Sequence, residues 1–191
     1  MGLVGSISVS DAVAQTVAPN SSVGPSSLRE VYADWTVSCQ SPKQPQSDKK
    51  LTSCQMSQEL RDRNSGQLVL AFALPARPNP DSSDAVIIAP FGLDLSKGIQ
   101  LTVMKKAGAS GSEQTAQPGP QANAPFHTCL PSGCLAKFDL DGPMFSALRK
   151  GTEARISMTS IDEGQSVQLK ISLNGFTAAE RRMKTLAAQF D

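Results

Sequence analysis

The chain has 191 residues, with Lys+Arg 18 against Asp+Glu 17 and a formal charge of +1. That length suits one domain with appendages, and the near-neutral balance excludes nucleic acid as the main partner, because phosphate binding needs a clustered positive field. One Trp and one Tyr are too few for a base-stacking surface, and no apolar run approaches the roughly eighteen residues of a transmembrane helix.

Residues 1–27 read as a leader or the remnant of a signal peptide. Ala12-Val13-Ala14 before Gln15 has the small-x-small form of a signal-peptidase site. No basic stretch precedes it, and Gly2 to Val9 is short and polar, so a plain flexible leader with an accidental Ala-x-Ala is the other reading. The folded domain is expected over 28–191, with order beginning at Tyr32.

Asp34 to Cys39 alternates polar and large apolar residues, which places Trp35, Val37 and Cys39 on one face of a strand. Ser41 to Lys50 is a polar loop. Alternation resumes from Leu51 to Leu60, with Cys54, Met56 and Gln58 sharing a face. If the two strands pair as a hairpin, Cys39 and Cys54 lie close enough to bridge. Asn64-Ser65-Gly66 is a turn signal. Leu68 to Leu74 and Ala85 to Ala89 are short apolar runs flanked by prolines, read as buried strands. Ile99 to Lys105 alternates again.

Ala107 to Ala124 consists mostly of Gly, Ser, Gln, Ala and Pro. With almost no apolar bulk it cannot offset its own ordering entropy, and 107–124 is expected to be a mobile loop. Cys129 to Cys134 encloses a tight turn, and Leu135 to Leu140 is a further strand. Asp141 or Gly142 as N-cap with Pro143 at N1 starts a helix that ends at Gly151 and buries Met144, Phe145 and Leu148. Ala154 to Ser160 and Val167 to Leu173 are alternating strands. Thr177 with Glu180 three residues on has the form of a capping box, opening a second helix whose apolar stripe is Ala179, Met183, Leu186 and Phe190. The fold class is therefore all-β: a single-domain β-sandwich or compact barrel-like sandwich with two short helices, one of them C-terminal.

The four cysteines, Cys39, Cys54, Cys129 and Cys134, allow three pairings. The Cys39/Cys54 spacing is too wide for a zinc knuckle, and no Cys-x-x-Cys is present. Two local bridges, Cys39–Cys54 and Cys129–Cys134, are the simplest solution, and such bridges persist only in an oxidising compartment.

Convergent reactive groups are hard to find. His127 near Cys129 suggests a nucleophilic pair, but an oxidised cysteine has no thiolate to attack with. Asp94, Asp139 and Asp141 lack the spacing of a calcium loop, and Asp141 already serves as a helix cap. Arg149-Lys150 and Arg181-Arg182 with Lys184 read as solvated helix faces. Neither a catalytic residue, a cofactor nor a metal is expected. Two residues are candidate partner anchors. Trp35 is one, with a core ring packed near the Cys39–Cys54 bridge as the competing reading; Phe91, in the Pro90–Gly98 segment, is the other, with a structural turn as the competing reading.

Taken in order, Asp34-Trp35, Cys39, Cys54-Gln55-Met56 with Gln58, Pro90-Phe91-Gly92-Leu93 with Leu95 and Gly98, Phe126, Cys129, Gly133-Cys134, Leu148-Arg149-Lys150-Gly151 and Ser172-Leu173-Asn174-Gly175-Phe176 with Ala178-Ala179 resemble the invasion-associated locus B family of alphaproteobacterial exported proteins. The resemblance runs from Tyr32 to Phe190. It implies a protein of the periplasm, outer envelope or cell surface, associated in some relatives with entry into host cells, and it brings no catalytic residues. The expected function is protein binding, with a host-surface or envelope component as partner. A chaperone-like or peptide-binding module using a sheet edge is the alternative, and a hydrolase with an unread site is a further one.

Overall fold

The computed structural model of the chain describes residues 27–40, 53–76, 83–105, 117–162 and 164–188. Among them lie eleven strands: β1 (Ser27–Tyr32), β2 (Trp35–Gln40), β3 (Ser53–Arg61), β4 (Leu68–Pro75), β5 (Ser83–Ala89), β6 (Ile99–Lys105), β7 (Gln117–Ala124), β8 (Phe126–Leu130), β9 (Gly133–Leu140), β10 (Glu153–Thr159) and β11 (Ser166–Ser172). Helix α1 spans Gly142–Lys150 and α2 spans Phe176–Ala188. The strands form two antiparallel sheets, one ordered β1-β2-β3-β4-β5-β9-β8 and the other β11-β10-β6-β7. The all-β sandwich with two helices is thus the observed architecture.

The sandwich follows from the period-two patterns. Trp35, Val37 and Cys39 are buried while Thr36 and Ser38 are not, and β9 and β10 alternate in the same way. One contiguous core takes in the inner faces of both sheets together with Met144, Phe145 and Leu148 of α1 and Phe176, Ala179, Met183 and Leu186 of α2. The smaller sheet has too few strands to cover its partner, and α2 lies against β1, β2 and β3, while α1 lies against β6 and β7. Between Ala124 and Phe126 the chain passes from one sheet to the other through Pro125 alone.

Three departures from the sequence reading bear on how the sandwich is closed. Regular structure is already present at Ser27, ahead of Tyr32: β1 pairs with β2 from Ser27↔Gln40 to Tyr32↔Trp35. Its charged Glu30 is held by a two-pronged hydrogen bond from Arg182 of α2, Nε and a terminal NH₂ each at 2.8 Å, and its Leu28 and Tyr32 pack on the core. The expected mobile loop is corrected at 117–124, which is β7, paired with β6 from Ile99↔Ala124 to Lys105↔Gln117. Its prolines are tolerated because β7 is an edge strand, where a missing N–H faces outward, and Ala122 and Ala124 supply the little burial it needs. Residues 106–116, like 1–26 and Phe190, lie outside the described residues.

The third departure is at α2. Its first turn carries no capping box: the Glu180 carboxylate is taken up by Arg149 of α1 at 2.7 and 2.6 Å and by Lys184 at 2.9 Å. The Thr177 hydroxyl donates to the Arg149 carbonyl instead. At α1 the expectation holds, with Asp141 accepting from the Met144 amide at 2.8 Å and Gly151 as C-cap.

Candidate functional site

Both cysteine pairs sit at directly opposed positions of their ladders, Cys39↔Cys54 in β2–β3 and Cys129↔Cys134 in β8–β9. Both are bridged, and no described cysteine is free. The first bridge is buried; the second sits on the edge hairpin with Cys129 exposed. His127 is exposed on β8, beside a cysteine that holds no thiol.

Trp35 is corrected as a partner anchor. Its ring is 0% exposed, stands edge-on to Phe176 at 5.0 Å and to Phe72 at 5.8 Å, and its Nε1 donates to the Ser172 carbonyl at 2.9 Å. It is a core residue, unable to meet a partner. Around it lies a polar latch that joins the sheets. Gln58, 5% exposed, donates to the carbonyls of Asp34 and Ser172 at 3.0 and 3.1 Å and accepts from the Ser172 amide at 2.9 Å. The Ser172 hydroxyl donates to the Asp34 carboxylate at 2.6 Å and accepts from the Asn174 amide at 3.2 Å. Gly175, at φ 86°, completes it: a Cβ there would overlap the Tyr32 carbonyl. A serine hydroxyl on a carboxylate is a catalytic fragment only with a base between them, and here no histidine intervenes. The latch is structural.

Phe91 has the opposite placement. The segment after β5 bends at Phe91-Gly92, with Gly92 at φ 83°, and Leu93 pairs with Ser160 while burying its side chain. The Asp94 carboxylate accepts from the Ser96 hydroxyl at 2.6 Å and the Ser96 amide at 3.1 Å, capping a short 3-10 turn at Leu95–Lys97. The Ser96 hydroxyl hydrogen bond is the main cause that holds the Asp94 carboxyl below its usual range. The turn between β10 and β11 docks on this segment: the Ile161 amide donates to the Gly92 carbonyl and the Asp94 amide to the Thr159 carbonyl, both at 2.9 Å. These bonds fix two loops as one unit. Phe91 is 61% exposed, Ile161 64% and Leu95 44%, so the unit carries three apolar side chains in water at one end of the sandwich.

The sequence pointed to Phe91 but missed Leu95 and Ile161 as its neighbours. Ile161 lies just past β10, out of phase with the buried Ala154, Ile156 and Met158, so the alternation sets it outward, but nothing in the sequence places it beside Phe91. Among the described residues no group of three or more His, Cys, Asp or Glu side chains is placed to hold a metal ion. The aspartates considered for such a role are dispersed: Asp94 and Asp141 cap local turns, and Asp139 lies in β9 opposite Asp84.

The architecture, the two bridges and the latch define a class: a disulfide-closed β-sandwich with a helix completing one layer. Residues 35–184 match the family model described as "Invasion associated locus B (IalB) protein", and the chain belongs to that family. It is 40% identical over 163 residues, covering 85% of this chain and 83% of the relative, to a protein named as an invasion protein B homolog of Brucella abortus. It is 26% identical over 165 residues to invasion protein B of Bartonella bacilliformis, covering 85% of this chain and 78% of that one. The crystal structure of invasion associated protein b from Bartonella henselae superposes with a TM-score of 0.67 at 24% identity, covering 86% of this chain and 99% of that one. That likeness carries the fold.

Proposed function

We propose that this chain is an exported, non-enzymatic envelope protein that works by binding another protein, in host-cell entry or in upkeep of the envelope. The observation that carries the reading is the end of the sandwich formed by Phe91, Leu95 and Ile161. Exposed side chains on loops already fixed by main-chain hydrogen bonds lose little entropy on docking, and aromatic anchors of this kind dominate binding energies. Export is supported by the two bridges, which an oxidising compartment preserves, and by relatives named for invasion. No described helix is long and apolar enough to cross a membrane.

The test places a photo-crosslinking amino acid at Phe91 or Ile161, and at Lys137 on β9 as control, in living bacteria with and without host cells. A discrete adduct at the first two positions and none at the control is the expected result. Identical patterns at all three would end this reading. The peptide-binding alternative is favoured by β11, an edge strand of seven residues without proline. An adduct at Gln168 in place of Phe91 would select it.

A further inference from the structure

At the end of β6 remote from Phe91 and Ile161, α1 stands off from the β6–β7 ladder and leaves a cleft of about 340 Å³, within the size range of small-molecule sites. One wall is the flank of α1 where Pro143, Ser146 and Ala147 present only small side chains. The other wall and floor are Met104 and Pro120, from neighbouring strands. Two ammonium groups flank this apolar slot, Lys105 at the end of β6 and Lys150 in the last turn of α1. Neither has a carboxylate partner among the described residues, and no described acidic residue lines the cleft. The adjacent Arg149, by contrast, is saturated by Glu180. An apolar slot closed by two unneutralised cations is complementary to a molecule with a hydrocarbon body and an anionic head.

We propose that this cleft binds a single-chain anionic amphiphile. Its chain lies along α1 over Met104 and Pro120, and its head group is held between Lys105 and Lys150. A helix of nine residues is about 14 Å long, the span of a medium-length acyl chain. Two features keep the slot narrow. A Cβ at Gly119 would come 2.7 Å from the Val103 carbonyl oxygen and 3.3 Å from Lys105 Cγ, so β7 runs close beneath the lysine stem. Ser146 and Ala147 set the opposite wall, where a larger side chain would fill the space. The shared chemistry of a fatty acid and of a singly acylated phosphate lipid fits equally, and the head group distinguishes them.

The experiment titrates the intact, oxidised protein with dodecanoate, dodecyl phosphate, dodecyltrimethylammonium and acetate, below micellar concentrations, by calorimetry and by amide shifts in NMR. Saturable binding of the two anionic amphiphiles, with shifts centred on Met104, Lys105, Ala147 and Gly151, is expected; the tighter of the two names the head group. The K105E/K150E double variant should weaken that binding by roughly tenfold or more, with an unchanged melting temperature because both lysines are exposed. Ser146→Trp, which fills the slot without touching the charges, should abolish it. Equal binding of the cationic amphiphile, an unchanged affinity in K105E/K150E, or shifts centred elsewhere would overturn the proposal.

Discussion

Gln58 ties three main-chain groups of two segments with one side chain, and its burial makes each bond matter. Replacing it by leucine keeps the volume and removes both donor and acceptor, leaving the Ser172 amide and the Asp34 carbonyl short of partners. An unsatisfied buried group costs about 1–3 kcal/mol, so Gln58→Leu should lower unfolding stability in urea by about 2–3 kcal/mol. An exposed glutamine such as Gln168 should be replaceable at almost no cost. Glu30 gives a pH signature. The hydrogen bonds from Arg182, then that from Tyr32, hold its carboxyl at about 2, down from 4.5. A folded value below the unfolded one means that this stabilisation is fully present above about pH 4.5 and disappears as the pH falls toward 2. The stability gap between the native protein and Glu30→Gln should therefore be constant near neutrality and close through that window in pH-dependent denaturation. Glu180 has the same sign for a different balance of causes: burial pushes its carboxyl up, but the hydrogen bonds and charges of Arg149 and Lys184 outweigh it.

At the scale of elements, legibility followed apolar content. The strands built on Trp35-Val37-Cys39, Ile99-Leu101-Val103 and Ala136-Phe138-Leu140 announced themselves through a period of two, and α1 through Asp141, Pro143 and Gly151. β7 left no such mark, because Gln117-Pro118-Gly119-Pro120 is held by its ladder to β6 and not by side-chain burial. Thr177 and Glu180 have the local spacing of a capping box, yet a nearby arginine on another helix outbids a backbone amide for the carboxylate. The candidate site was half visible: Phe91 belongs to a segment with an unusual Pro-Phe-Gly composition, whereas Ile161 is recognisable only once two loops are seen to share hydrogen bonds. The disulfides belong to this scale as well. Closing the loop of Cys39 and Cys54, 15 positions apart, is worth roughly 3 kcal/mol on the chain-entropy view. Replacing both by serine should cost about that much in chemical denaturation. The pair Cys129 and Cys134, 5 positions apart, should cost less, and native unreduced protein should titrate no thiol.

For the molecule as a whole, two sheets and two helices share one core, and the contacts that lock it are remote in sequence. Arg182 reaches Glu30 across 152 positions, and Gln58 reaches Ser172 across 114. The chain also crosses between the layers at Pro125, so neither layer is a self-contained stretch of sequence. The two proposed binding surfaces are laid out apart: the hydrogen-bonded loops of Phe91 and Ile161 at one end of β6, the lysine-flanked cleft at the other. Ligand occupancy at one need not disturb the other.

The latch has a consequence for the order of events in the life of the chain. Until Ser172 has left the ribosome, Gln58 and the indole of Trp35 have no acceptor there, and the ring of Phe176 that seals the tryptophan has not been made. The cross-sheet seal over Trp35 therefore forms only once the segment from Ser172 to Phe176 is present. All four cysteines, by contrast, precede that segment in the chain.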